Sequence, residues 1–238
     1  MKNVQEQLMH EEESIFNAQL QRRSFLRYAG AGAAGVALLA AGCKKRDRDV
    51  PAYEGVMLDF KDDFGVLNYA YALEQLEAAF YTQVASNPPS DMSANEKAYF
   101  QDIQFHEIAH REFFKKALNT SAIGSLEVDF SSIDFTKRSS VLAAAMAFED
   151  LGVAAYNGAG VRLKNDNFLL IAGKIVSVEA RHASYVRDLV SYGSFADLTT
   201  LTTFGAKDSD GLDAALTPDK VLPIAAKYVK TKINVINL

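Results

Sequence analysis

At 238 residues with 49% apolar side chains, the chain can bury a full core, as one large domain or a domain with appendages. A formal charge of −5 and the lack of a long basic run outside residues 44 to 48 argue against nucleic-acid binding. The single cysteine excludes a disulfide within the chain, and with no Trp the aromatic packing rests on 15 Phe and 10 Tyr.

The first element is not part of the fold. "QRRSFLRYAG" sets Arg22-Arg23 ahead of Phe25-Leu26, and an Ala/Gly-rich apolar run follows from Tyr28 to Gly42. This resembles a twin-arginine export signal. The run closes on "LLAAGC", which resembles a lipoprotein cleavage site with Cys43 as the lipidated residue, although Ala40 stands three before the Cys and Leu39 one further back. As a membrane anchor the run is too short, since spanning takes about 20 apolar residues. Residues 1 to 43 are therefore expected to be a signal peptide and 44 to 61 a charged tether to the lipid. A periplasmic or cell-envelope lipoprotein is the expected outcome, and the export route suits a protein that folds around its cofactor before export.

Four long helical patterns follow over residues 62 to 192. Helix A runs from about 62 to 86 and stops at "SNPPSD". Helix B opens with Ser93-x-x-Glu96, a capping box, and continues to about 118. Non-helical residues 119 to 135 separate it from helix C, at about 137 to 158, and helix D, at about 165 to 192. Short A–B and C–D links with a long B–C link predict an all-α four-helix bundle, two antiparallel hairpins joined by a crossover. Residues 193 to 238 form a C-terminal extension with a last helix after Pro218, near 223 to 229, and no evident chemistry.

Read at spacings of three and four, each helix has an apolar stripe interrupted near its middle by an acid. The interruptions are Glu74 in A, Glu107 in B, Glu149 in C and Glu179 in D, with His110 and His182 one turn later in B and D. Burying an isolated carboxylate costs several kcal/mol, so four such errors at one depth require something that cancels the charge. Two divalent cations would balance four carboxylates and two neutral imidazoles. The donor set favours iron, then manganese, and zinc least. Glu74 and Glu149 are each followed seven residues later by a tyrosine, Tyr81 and Tyr156, so that E-x6-Y then E-x-x-H occurs twice. The tyrosines fit core packing or a hydrogen bond beside the site. Glu77 shares the stripe one turn past Glu74 where helix C has Gly152; it is either an extra ligand or proton carrier, or an edge residue reaching solvent or a basic partner. Phe113, Phe114 and Phe148 read as core packing.

"LEQLEAAFY", "HEIAH", "FEDLGVAAYNGAG" and "VEARH" together resemble the ferritin-like superfamily, above all its exported bacterial members grouped with desiccation-related proteins. The resemblance covers about residues 62 to 190. It implies a di-iron or di-manganese bundle in which Glu74 and Glu149 each serve one metal, Glu107 pairs with His110 and Glu179 with His182, and Glu107 and Glu179 bridge. It further implies reaction with O2 or peroxide, with Fe(II) as another small-molecule substrate, and a role in stress protection. Homo-oligomer formation stays open.

Three other functions compete. One is a non-catalytic envelope protein whose bundle stores metal or uses it structurally. Another is an interaction module that keeps the bundle and binds a partner through its tail. The last rests on His106-Glu107-Ile108-Ala109-His110, a literal H-E-x-x-H, the signature of zinc peptidases. No compact third ligand follows it in "REFFKKAL", and helix D has Val178 where helix B has His106. The peptidase reading also leaves Glu74, Glu179 and His182 unexplained. His106 is expected to flank the site, as an extra ligand or a residue that supports a ligand from behind; the alternative is a partly exposed side chain with no such role.

Overall fold

The computed structural model describes residues 54–238. The Arg22-Arg23 signal, Cys43 and most of the expected tether lie outside these residues. The bundle consists of α1 (Asp63–Ser86), α2 (Ala94–Leu118), α3 (Arg138–Gly160) and α4 (Asp166–Val190). Each boundary falls within about two residues of expectation, because the sequence carries the caps. The Asp62 carboxylate accepts from the Phe64 N–H at 3.0 Å at the start of α1. Ser93 and Glu96 close the expected capping box, with Ser93 N–H donating to Glu96 at 2.8 Å. Asn165 caps α4 through the Asn167 N–H.

α1 packs along α2 and α3 along α4, and the two hairpins meet chiefly through α1 and α3. These two inner helices are buried on nearly every side, whereas α2 and α4 bury only a stripe. The crossover supplies part of the cover. Two amides of α1, seven residues apart, pin it: Asn68 donates to Ser121 O at 2.9 Å and accepts from Ile123 N–H at 2.8 Å. Gln75 accepts from Leu126 N–H at 2.9 Å. Their stripe is otherwise apolar, so each amide satisfies backbone groups that the crossover would otherwise bury unpaired.

Three expectations change. Part of the segment read as tether is strand β1 (Val56–Asp59), which pairs in parallel with β2 (Ile233–Ile236) at the end of the chain. Leu58 from β1 is fully buried in the main core. The last helix, α5 (Pro218–Ala225), begins five residues before the expected start near 223. Proline's fixed φ and missing N–H suit a first turn, so Pro218 starts the helix. Phe113 is 38% exposed on the outer face of α2, while Phe114 and Phe148 are buried as expected. Among the described residues, no helix is long and apolar enough to cross a membrane.

Candidate metal centre

The six expected side chains converge at the middle of the bundle. Glu74, Glu107, Glu149 and Glu179 are each fully buried. They form two overlapping groups with the imidazoles. Glu74, Glu107, His110 and Glu179 present ligand atoms within 4.8 Å of one another, and so do Glu107, Glu149, Glu179 and His182. Glu107 and Glu179 belong to both groups; each remaining Glu and His belongs to one. His110 Nδ1 lies 2.8 Å from Glu179 Oε1 and 3.5 Å from Glu74 Oε2. His182 Nδ1 lies 2.9 Å from Glu107 Oε1 and 3.5 Å from an oxygen of both Glu149 and Glu179. The arrangement follows from register: each E-x-x-H step puts acid and imidazole on one helical face, and the pseudo-repeat brings the two steps to one depth.

Close approach here is not hydrogen bonding. Glu74 Oε2, Glu149 Oε2, both oxygens of Glu107, both of Glu179, and Nδ1 of His110 and His182 are buried with no hydrogen-bond partner. These eight atoms all face the same space. Buried polar atoms are normally satisfied, so eight orphans turned towards one another form a group that could hold cations. Carboxylates with two imidazoles fit a pair of metal ions.

The tyrosines exchange hairpins. Tyr81 of α1 donates its hydroxyl to Glu149 of α3, and Tyr156 of α3 donates to Glu74 of α1. Each Glu thus keeps one oxygen for the site and ties the other to the opposite hairpin. Burial and the adjacent carboxylate push both phenols well above their ordinary range, so both remain donors.

The electrostatics carry the same strain. Burial drives Glu107 up to about 8 and Glu149 up to about 7, against the pull of neighbouring imidazoles. At Glu179 the two imidazoles together outweigh burial and hold it at about 2. His182 is buried yet pushed up to about 12 by Glu149, Glu107 and Glu179. Without a metal, protons must serve as the counter-charge.

Glu77 joins neither group. It is not the solvent-reaching edge residue that the sequence left open, because it is only 3% exposed and its Oε2 has no partner. Its seat exists because Gly152 lacks a side chain: a Cβ there would come within 2.9 Å of Glu77 Oε1. Burial, then the four site carboxylates, push its own carboxyl well above the usual range. His106 also stays outside both groups. Its Nδ1 meets the outer nitrogen of His182, Nε2, at 2.8 Å. A zinc-peptidase site would need His106 and His110 on one ion, and that geometry does not occur.

Residues 62–192, more than half of the chain, match the family of ferritin-like domains. The chain belongs to that family. No curated protein matches it. The ferritin-like domain thus spans the four helices and every residue of the two groups, while the β1–β2 pair and α5 lie outside the match. Several supports of the domain escaped the sequence reading. Asn68 and Gln75 could have been noticed as two amides seven apart on an apolar helix. Asp150 and Arg187 form a buried bidentate pair, with Nε–Oδ1 at 2.9 Å and Nη2–Oδ2 at 2.7 Å. Only the fold makes partners of residues 37 apart.

Proposed function

We propose that the chain is an exported, lipid-anchored di-metal carboxylate protein that reacts with O2 or peroxide, with iron the favoured metal, manganese next and zinc least. The observation that carries the reading is the set of eight buried, unpartnered donor atoms in two overlapping groups. Glu74 with His110 would hold one cation, Glu149 with His182 the other, and Glu107 and Glu179 would be shared. Once bound, such a pair supplies coordination positions for a small oxidant and a reservoir of electrons. The protein's part is orientation and exclusion of water: Tyr81 and Tyr156 fix Glu149 and Glu74, and the packed inner helices keep the carboxylates dry. A role in stress protection follows from the likeness to exported family members.

Export and anchoring rest on Arg22-Arg23, the apolar run and Cys43. Cys43→Ser should release the protein from membranes on fractionation; continued membrane association would overturn lipidation. The redox reading is tested by metal analysis of protein made in its native host, then anaerobic loading with Fe(II) and exposure to O2 or peroxide. Rapid Fe(II) oxidation at two irons per chain supports it. Two bound metals without turnover would overturn catalysis and leave a metal-holding envelope protein. Absence of metal binding would overturn both.

A further inference from the structure

We propose that the two cation positions are unequal, and that His106 makes the position of Glu149 and His182 the one filled first. The inference rests on the di-metal reading above and adds a loading order to it.

The helical repeat makes the two positions equivalent in donors: one private Glu, one His, two shared Glu and one cross-hairpin tyrosine each. His106 breaks the equivalence. Its Nδ1 lies 2.8 Å from His182 Nε2, and the two ring planes differ by only 14°. The ring centres are 5.1 Å apart, which is that bond plus the two centre-to-nitrogen lengths. The rings therefore meet edge to edge, as a head-on hydrogen bond and not as a face-to-face stack.

Tautomer chemistry gives this bond its consequence. His182 Nδ1 faces the carboxylates, so to offer its lone pair to a cation it must carry its proton on Nε2. That Nε2–H then donates to His106 Nδ1, and His106 carries its own proton on the other nitrogen. His106 thereby offers an acceptor to the binding tautomer of His182 and holds the ring in place, the usual service of an outer partner to a ligating imidazole. His110 has no such help. Among the described residues nothing hydrogen-bonds its outer nitrogen, and its side chain is 13% exposed against 5% for His182. The residue on α4 that matches His106 in the repeat is Val178, which has no polar atom to offer. His106 is a positioning residue, acting through His182.

The test is titration of metal-free protein with Co(II), followed by calorimetry and visible absorption. The wild type should fill in two resolved steps. His106→Ala should weaken the tighter step by about 10- to 100-fold and leave the looser one in place. His106→Asn, whose amide oxygen restores an acceptor near the lost nitrogen, should recover most of the tighter step. Glu74→Gln should weaken the looser step first. His106 itself lies at the surface, and thermal midpoints of the metal-free variants, measured alongside, separate a change in binding from one in folding. Two equal steps in the wild type, or a tighter step unmoved by His106→Ala, would overturn the inference while leaving the di-metal reading intact. Failure of the wild type to take up Co(II) would overturn that reading, and the inference with it.

Discussion

His106 and His110 stand four residues apart on one helix, and the structure gives them opposite work. His110 turns Nδ1 into the carboxylates, whereas His106 reaches sideways to His182. His110→Ala should therefore strip metal, removing the ion that it shares with Glu74 and weakening the other through Glu107 and Glu179. His106→Ala should still reach full stoichiometry at saturating metal. Metal analysis by emission spectrometry distinguishes the two, and equal loss from both would revive a shared zinc site. Glu77 offers a cleaner test of burial. Burial, then the four site carboxylates, push its carboxyl well above the usual range, so in the metal-free protein its ionised form is disfavoured and grows costlier to the fold as pH rises. Glu77→Gln replaces that acid with a permanently neutral isostere. The variant should match wild-type thermal stability near pH 5 and exceed it at high pH. These six ligand candidates were legible in the sequence because an acid in a buried stripe is expensive enough to stand out. The direction of His106 was not, because a helix position specifies a face and not the neighbour waiting there.

At the scale of elements, the bundle depends on what surrounds it. The inner helices are buried on sides that face no other bundle helix, so the crossover, β1, β2 and the C-terminal extension complete their cover. One contact is especially tight: Leu216 donates its N–H to Ala154 O at 2.8 Å, and a Cβ on Gly158 would sit 1.9 Å from Leu216 O. A backbone carbonyl cannot step aside as a flexible side chain can. Gly158→Ala should destabilise the fold by several kcal/mol despite the better helix propensity of Ala, which favours it by only about 1 kcal/mol. Denaturant unfolding measures this, and a neutral result would mean that the extension is loosely held. Likewise, Leu58 carries β1 into the core, and Leu58→Ala should cost about 2–5 kcal/mol. Helix boundaries were readable from Asp62, Ser93 and Glu96, whose capping is local. The β1–β2 pair was not, since each strand is four residues long and its partner lies at the far end of the chain.

For the molecule as a whole, charge at the centre couples stability to pH and to metal. In the metal-free state Glu107 and Glu149 sit raised at about 8 and 7, so their contribution is fully present below the unfolded carboxylate range and is lost as pH climbs through those values. His182, raised to about 12, likewise contributes fully below its unfolded value of about 6.5 and loses that contribution as pH rises further. Glu179, held at about 2, contributes above the unfolded carboxylate range and loses that progressively as pH falls from there towards about 2. The metal-free protein should therefore be most stable near pH 5 and weaken steadily towards pH 8. Metal should reverse the slope, because cations replace those protons and bind better as they leave. Thermal melts with and without a chelator check both signs, and parallel curves would mean that no metal occupies the centre.

Helix count, hairpin order and the depth of the acids were written in the sequence, because periodicity, caps and the cost of a buried charge all act over a few residues. Which atoms meet was decided only by folding. Tyr81 follows Glu74 by seven residues on one helix yet bonds Glu149, and Tyr156 follows Glu149 by seven yet bonds Glu74. A helix fixes the face on which a side chain stands; packing against the other hairpin chooses its partner.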